Sequence, residues 1–351
     1  MSAPARPVRI FEINQASQEW FGMLAGMRLD LFTPLDDGPL RADELARRLG
    51  VNAEKLDLLL YALVVAGLLT VEDGRFANTP EASQFLVRGK PAYMGSAHLV
   101  WEEFGYAGLK TAASVRTGVP QARHDYGTMT EEELYVTLGG LHAAGLAKGR
   151  ALAARGEFGA YREVLDAAGG SGGVSIGLAE TCPALRLTIA DFPGVLPVAR
   201  RFVAEAGMGE RIGTLACDLV RDGASGRYDA AILSLFTQVL APEEAQAALR
   251  HIARALRPGG MIYLLNAVLD DTRLTPAPAA RLNILFLSFY DHGQAYTEGE
   301  YRAWLAGAGF VDFTREDDVA GNTLIRARVP ARGGQTHRPE PYAGDQPAAA
   351  V

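Results

Sequence analysis

A chain of 351 residues, 48% of them hydrophobic, is long enough for two domains and carries enough apolar material for a sizeable core. Its net charge of -7, spread without a basic block, argues against a nucleic-acid or membrane-surface partner. Only two cysteines, Cys182 and Cys217, are present; with no metal-ligand spacing, no apolar signal core at the N-terminus and no apolar run able to span a bilayer of ~30 Å, they point to a cytoplasmic protein without a disulfide framework or a metal.

In chain order, residues 10–35 carry Phe11, Trp20, Phe21, Leu24, Met27 and Leu31 at helical spacing. Residues 38–50 read as a short helix ended by Gly50, and Asn52 as the N-cap of a helix through Leu58, Leu59, Leu60, Leu63 and Val64. Residues 69–76 read as a hairpin turning at Asp73-Gly74. Helices followed by a two-stranded wing make a winged-helix pattern. DNA binding is disfavoured, because the helix after Asn52 has Lys55 as its only basic residue and is otherwise rich in leucine, valine and alanine. Such a helix is built to be buried, in packing or in dimerisation.

Residues 101–118 and 130–154 read as two further helices, joined by a loop holding Arg123, His124, Asp125 and Tyr126. From 161 onward apolar strands at 163–167, 186–190, 212–217, 228–233 and 261–267 alternate with helical stretches. That alternation predicts an α/β fold with a mainly parallel sheet and crossover helices. Arg257-Pro-Gly-Gly260 reads as a turn into the fifth strand, and the end of the chain, rich in Gly, Pro, Gln and Ala, as disordered. The expected domains are 1–100, a helical winged-helix dimerisation domain; 101–160, helices lining a substrate pocket; 161–328, a Rossmann-like domain; and 329–351, the tail.

The chemistry concentrates at Val164-Leu-Asp-Ala-Ala-Gly-Gly-Ser-Gly-Gly173, a strand running into a glycine-rich turn and a helix. Asp191 ends the next apolar run and Asp218 follows a third. Glycines let the backbone approach a nucleoside, and an acid at the second strand tip accepts from ribose hydroxyls. Asp166 at the end of the first strand would repel a pyrophosphate. Three acids suit the cationic S-adenosylmethionine (SAM) instead.

With these residues in hand, the chain over about 10–328 resembles the class I SAM-dependent methyltransferases, specifically the O-methyltransferase family with an N-terminal winged-helix dimerisation domain. Supporting runs are Leu29-Asp-Leu-Phe32, Val115-Arg-Thr-Gly-Val-Pro120, the loop after Val164, Asp191-Phe-Pro193, Leu256-Arg-Pro-Gly-Gly260 and residues 301–310. The resemblance implies that Asp166, Gly169, Gly170 and Gly172 line the methionine end of SAM, that Asp191 holds the ribose, and that Asp218 sits by the adenine. Ala168 stands where the family has glycine, one methyl group more and tolerable. A homodimer is implied, with a small-molecule substrate between the two domains.

Two departures matter. The family's histidine base falls here on Gln238, and the glutamate that orients it falls on Ala295. An amide does not titrate. The leading expectation is therefore base-free methyl transfer, with S-methylation of a small thioether or thiol acid first and O-methylation next. A substitute base is the second reading, with His292 and His142 as candidates and His124 behind them. SAM-bound chemistry without methyl transfer, of a pericyclic or hydroxylation type, is the alternative. A winged-helix regulator that senses SAM stands last, against the apolar helix after Asn52. Trp101, Phe104, Tyr126 and Tyr290 are the expected substrate walls.

Overall fold

In the computed structural model, which describes residues 6–331, helices α1 (Val8–Arg28), α2 (Ala42–Leu49) and α3 (Ala53–Val65) precede strands β1 (Leu69–Glu72) and β2 (Arg75–Asn78), and helix α4 (Pro80–Phe85) follows. Local chemistry sets these boundaries. Gly50 ends α2 in the left-handed region at φ 68°. Asn52 caps α3, its Oδ1 accepting from the Lys55 N–H at 2.9 Å. Asp73 and Gly74 turn the hairpin with φ of 49° and 70°. Leu31, Phe32, Leu45, Leu60, Leu63 and Phe76 close a core of their own.

Within the single chain, α3 turns only one face inward. It buries Leu56, Leu60 and Leu63 but leaves Leu58, Tyr61 and Val65 exposed at 67%, 48% and 82%. Phe11 and Phe21 of α1 are also exposed. A helix packed on one small core turns only one face inward, so apolar residues all round leave an outer face for another surface.

Two long helices link the halves, α5 (Ala97–Thr117) and α6 (Glu131–Ala153). Helix α1 meets α5 at Gly105, where a Cβ would stand 2.3 Å from the Trp20 ring. Thr130 and Glu133 start α6 with a reciprocal capping box. The remainder runs β3 (Glu163–Ala167), α7 (Gly173–Ala179), β4 (Arg186–Asp191), α8 (Leu196–Glu205), β5 (Ile212–Ala216), β6 (Tyr228–Ser234), α9 (Pro242–Ala255), β7 (Leu256–Asn266), α10 (Ala277–Phe289), α11 (Glu298–Gly307), β8 (Val311–Val319) and β9 (Asn322–Arg328). The seven strands lie in the order β5-β4-β3-β6-β7-β9-β8. All neighbours are parallel up to β7, and β9 pairs antiparallel with both β7 and β8. The chain reverses winding between β3 and β6, which opens a crevice at the carboxyl ends of those strands.

Glycines bring α6 onto α7. A Cβ on Gly149 would lie 2.3 Å from the Val174 carbonyl oxygen, and one on Gly177 would lie 2.4 Å from that of Leu146. Gly145 and Gly173 meet one turn earlier. The helix after the glycine-rich loop is thus locked to the helix that reaches toward the N-terminal region.

The five expected strands are all present, with two differences. Residues 257–260 form an irregularity inside β7 rather than a turn before it, because Leu256 already pairs with Tyr228. The hairpin β8–β9 was not expected, since β8 carries five charged residues among nine and only Val319 is buried. From residue 332 on, the expected tail lies outside the described residues.

Candidate active site

Asp166, Asp191 and Asp218 stand at the carboxyl ends of three adjacent strands, β3, β4 and β5, or just beyond them. Asp166 is fully buried, and its Oδ2 accepts from the Ser175 hydroxyl at 2.6 Å. Its Oδ1 is buried without a hydrogen-bond partner among the described residues. Burial pushes its carboxyl up to about 6, the Ser175 bonds oppose this, and the Asp191 charge adds to it. Asp191 is also pushed up to about 6 by burial, although its carboxylate accepts from the Gly170 and Phe192 N–H groups at 2.9 and 2.8 Å. Asp218 accepts from the N–H groups of Val220 and Arg221 at 2.9 and 3.0 Å. Buried carboxylates at this cost suit a ligand that brings positive charge and hydroxyl donors.

The loop between β3 and α7 is a cradle that side chains would fill. Gly170 and Gly172 hold φ of 54° and 74°. A Cβ on Gly169 would meet Asp166 Cγ at 2.9 Å, and one on Gly172 would meet Ile189 Cδ1 at 2.6 Å. Ala168 adopts φ 56° here, so the methyl group that the sequence made tolerable sits in a region that favours glycine. The orphaned Asp166 oxygen, the cradle and the acid row fit SAM.

Gln238 lies across the crevice, in a 3₁₀ turn after β6, and is buried. Its Oε1 accepts from the Ala267 N–H at 2.9 Å, which ties it to the end of β7. Its Nε2 has no acceptor among the described residues. Ala295 is fully buried in an apolar cluster with Leu269, Ala279 and Phe286. No carboxylate stands at that position.

The two expected histidines are not brought together. The His142 Nδ1 bonds the Ser171 hydroxyl at 2.9 Å, and its ring stacks on Phe202 at 4.2 Å. Burial pulls it down to about 4, so it is neutral near pH 7 and a poor proton acceptor. Its contacts support the cradle loop. His292 is exposed, and its side chain makes no hydrogen bond among the described residues.

Three of the four expected walls converge elsewhere. Phe104 lies 5.7 Å from Phe289, ring to ring, and Phe289 lies 6.1 Å from Tyr290. The Tyr126 phenol reaches the Tyr290 phenol. Burial pushes the Tyr126 phenol up; Tyr290 opposes this, and the Glu103 and Asp191 charges add to it. Tyr126 packs with Leu134 and Leu138 of α6, and Leu138 Cδ2 would lie 3.3 Å from a Cβ on Gly170 of the cradle. Trp101 instead packs on the N-terminal core. Beside Phe289 opens a cavity of about 430 Å³, lined by Glu103, Tyr106, Arg123, His124 and Phe289 among others. The His124 ring packs on Phe289 at 4.4 Å, edge-on to Tyr126 at 5.8 Å, and its Nε2 lies 3.2 Å from Glu103 Oε2. Sequence reasoning missed Glu103 and Phe289. The helical period placed Glu103 beside Phe104 on α5, but nothing local announced that the 119–129 loop would fold back to it.

The described helices include none long and apolar enough to cross a membrane. Residues 22–88 match the O-methyltransferase dimerisation domain and residues 116–311 the O-methyltransferase domain. The chain is 31% identical over 294 residues to 3-hydroxy-5-methyl-1-naphthoate 3-O-methyltransferase of Streptomyces sahachiroi, covering 82% of this chain and 84% of that one. It is 29% identical over 331 residues to the tetracenomycin polyketide synthesis 8-O-methyl transferase of Streptomyces glaucescens, covering 91% and 96%. Human N-acetylserotonin methyltransferase in complex with SAM shares the fold at a TM-score of 0.78 and 22% identity, covering 93% of this chain and 100% of that one. With a family match over both parts of the chain and a crevice at the strand ends that fits SAM, this protein belongs to the O-methyltransferase family and is a SAM-dependent methyltransferase.

Proposed function

We propose that the chain methylates a phenolic or enolic hydroxyl of a small aromatic molecule. The observation that carries this reading is the similarity to the Streptomyces O-methyltransferases, one of them acting on a hydroxynaphthoate. The aromatic cavity beside Phe289 and His124 supports it, being of a size for one ring system. Sulfur as acceptor, the first expectation from Gln238, has no such support and takes second place.

In this reading Asp166, Gly169, Gly170 and Gly172 hold the methionine end of SAM, Asp191 the ribose and Asp218 the adenine edge. SAM supplies an activated methyl group bound to sulfonium sulfur. The chain's part is to orient the acceptor, exclude water and move one proton. Glu103, Tyr106, His124 and Phe289 line the acceptor cavity, with Phe104, Tyr126 and Tyr290 packed against Phe289 and His124. We also infer a cytoplasmic homodimer, supported by the dimerisation-domain match, the apolar outer faces of α1 and α3, and the free Cys182 and Cys217.

Incubation with methyl-labelled SAM tests this. Hydroxynaphthoates and catechols form one acceptor pool, thioethers and thiols another, and products are read by mass spectrometry. Label is expected in the oxygen pool with S-adenosylhomocysteine formed one for one. Label in the sulfur pool alone, or turnover without S-adenosylhomocysteine, contradicts it.

A further inference from the structure

On the family resemblance the usual histidine falls on Gln238, an amide, yet an imidazole lies against a carboxylate elsewhere in the chain. His124 comes from the 119–129 loop, which is pinned to the end of α10 by the Ala122 N–H to Ser288 and the His124 N–H to Phe289, at 2.9 and 3.1 Å. Its side chain is only 11% exposed. Phe289 and Tyr126 fix its plane. Glu103 Oε2, buried and without a hydrogen-bond partner among the described residues, lies 3.2 Å from Nε2. A carboxylate there favours the tautomer with the proton on Nε2, which leaves Nδ1 as an acceptor. Among the described residues Nδ1 has no partner, and the ring lines the cavity.

We propose that His124, oriented by Glu103, is the general base that takes the proton from the acceptor hydroxyl. This rests on the O-methylation reading above. The hydroxyl proton passes to Nδ1 of His124. The oxygen electron pair forms the bond to the methyl carbon, while the carbon–sulfur bond breaks and its electrons stay on sulfur, giving the neutral thioether. The imidazolium, balanced by Glu103, then returns its proton to water. Tyr126 joins this dyad to the crevice: its ring stands edge-on to His124 at 5.8 Å and packs in one apolar cluster with Leu138, whose Cδ2 would lie 3.3 Å from a Cβ on Gly170 of the cradle. Burial lowers His124 below its ordinary range, and the Glu103 carboxylate opposes that shift. The other polar groups facing it are the Tyr126 and Tyr290 phenols, Glu102 on the cavity wall, and the Arg123–Asp291 pair at 2.6 Å.

The test compares a hydroxynaphthoate with its more acidic nitro-substituted analogue, using wild type, His124→Gln and Glu103→Gln. The base is expected to matter only where the hydroxyl is protonated. His124→Gln should cost kcat on the plain compound about a hundredfold or more. The loss on the nitro analogue should stay below about tenfold, with SAM affinity unchanged in both cases. Glu103→Gln, on a side chain 41% exposed, should move the acid limb of the kcat/KM profile to lower pH without a matching rise in KM. A second readout needs no turnover. With S-adenosylhomocysteine bound, wild type should hold the nitro analogue as the coloured phenolate at a pH where His124→Gln holds it as the phenol. Equal losses on both compounds, or identical spectra, overturn the base. Wild-type turnover of neither compound overturns the hydroxyl reading and the base with it, and differs from the first failure in appearing without any substitution.

Discussion

The acids that prepare this protein for its cofactor are held at a cost, and that cost is measurable residue by residue. Asp166 and Asp191 both sit at about 6, against an ordinary 3.8, chiefly through burial. A carboxyl raised by folding contributes stability below its unfolded value and loses it as pH rises through its folded value. The SAM-free protein is therefore expected to lose melting temperature between about pH 4 and pH 6 from these two groups. SAM binding prefers both ionised, so its affinity should rise over the same window, with proton release seen by calorimetry in buffers of different ionisation heat. An affinity flat across that window contradicts the placement. Asp191→Asn should weaken SAM about ten- to a hundredfold by titration, the worth of charge-assisted hydrogen bonds. Ala168 gives an expectation of opposite sign. At φ 56° its methyl group is strained, so Ala168→Gly should raise stability by up to about 1 kcal/mol in denaturant melts, with the entropy of a more flexible unfolded chain setting the limit.

Elements show how the cradle is kept rigid. The α6–α7 contact runs through Gly145, Gly149, Gly173 and Gly177, with backbone against backbone. Gly149→Ala places a methyl group 2.3 Å from a carbonyl oxygen and should destabilise by about 1–3 kcal/mol in chemical denaturation. It should also weaken SAM, because α7 begins at the cradle. The sequence made the strands, the cradle and the acid row legible, since period-2 and period-3.6 patterns and glycines are local signals. Asn52, Gly50 and Asp73-Gly74 likewise announced their own turns. The hairpin β8–β9 escaped because an edge strand full of charge has no apolar alternation to read. The Glu103–His124 contact escaped for a different reason. It joins a helix to a loop through tertiary packing on Phe289, and no spacing between residues 103 and 124 encodes that meeting. His142 and His292 are both candidate bases in the sequence. Ser171 and Phe202 separate them by engaging the first and leaving the second in solvent.

At the scale of the whole molecule, the apolar outer faces of α1, α3 and α5 set the expected assembly. Val65 is 82% exposed on α3 and Leu109 is 85% exposed on α5, more than an isolated protomer leaves bare without reason. Val65→Glu with Leu109→Glu should shift sedimentation toward the single chain, while the cradle of each protomer stays intact. The measurement that bears most directly on the central claim is carbon NMR of the product made from SAM carrying an isotope-labelled methyl group and a hydroxynaphthoate acceptor. The methyl carbon should resonate as a methoxy group on an aromatic ring. A signal from an S-methyl or ring C-methyl group, or label that stays on SAM, would contradict transfer to a hydroxyl oxygen.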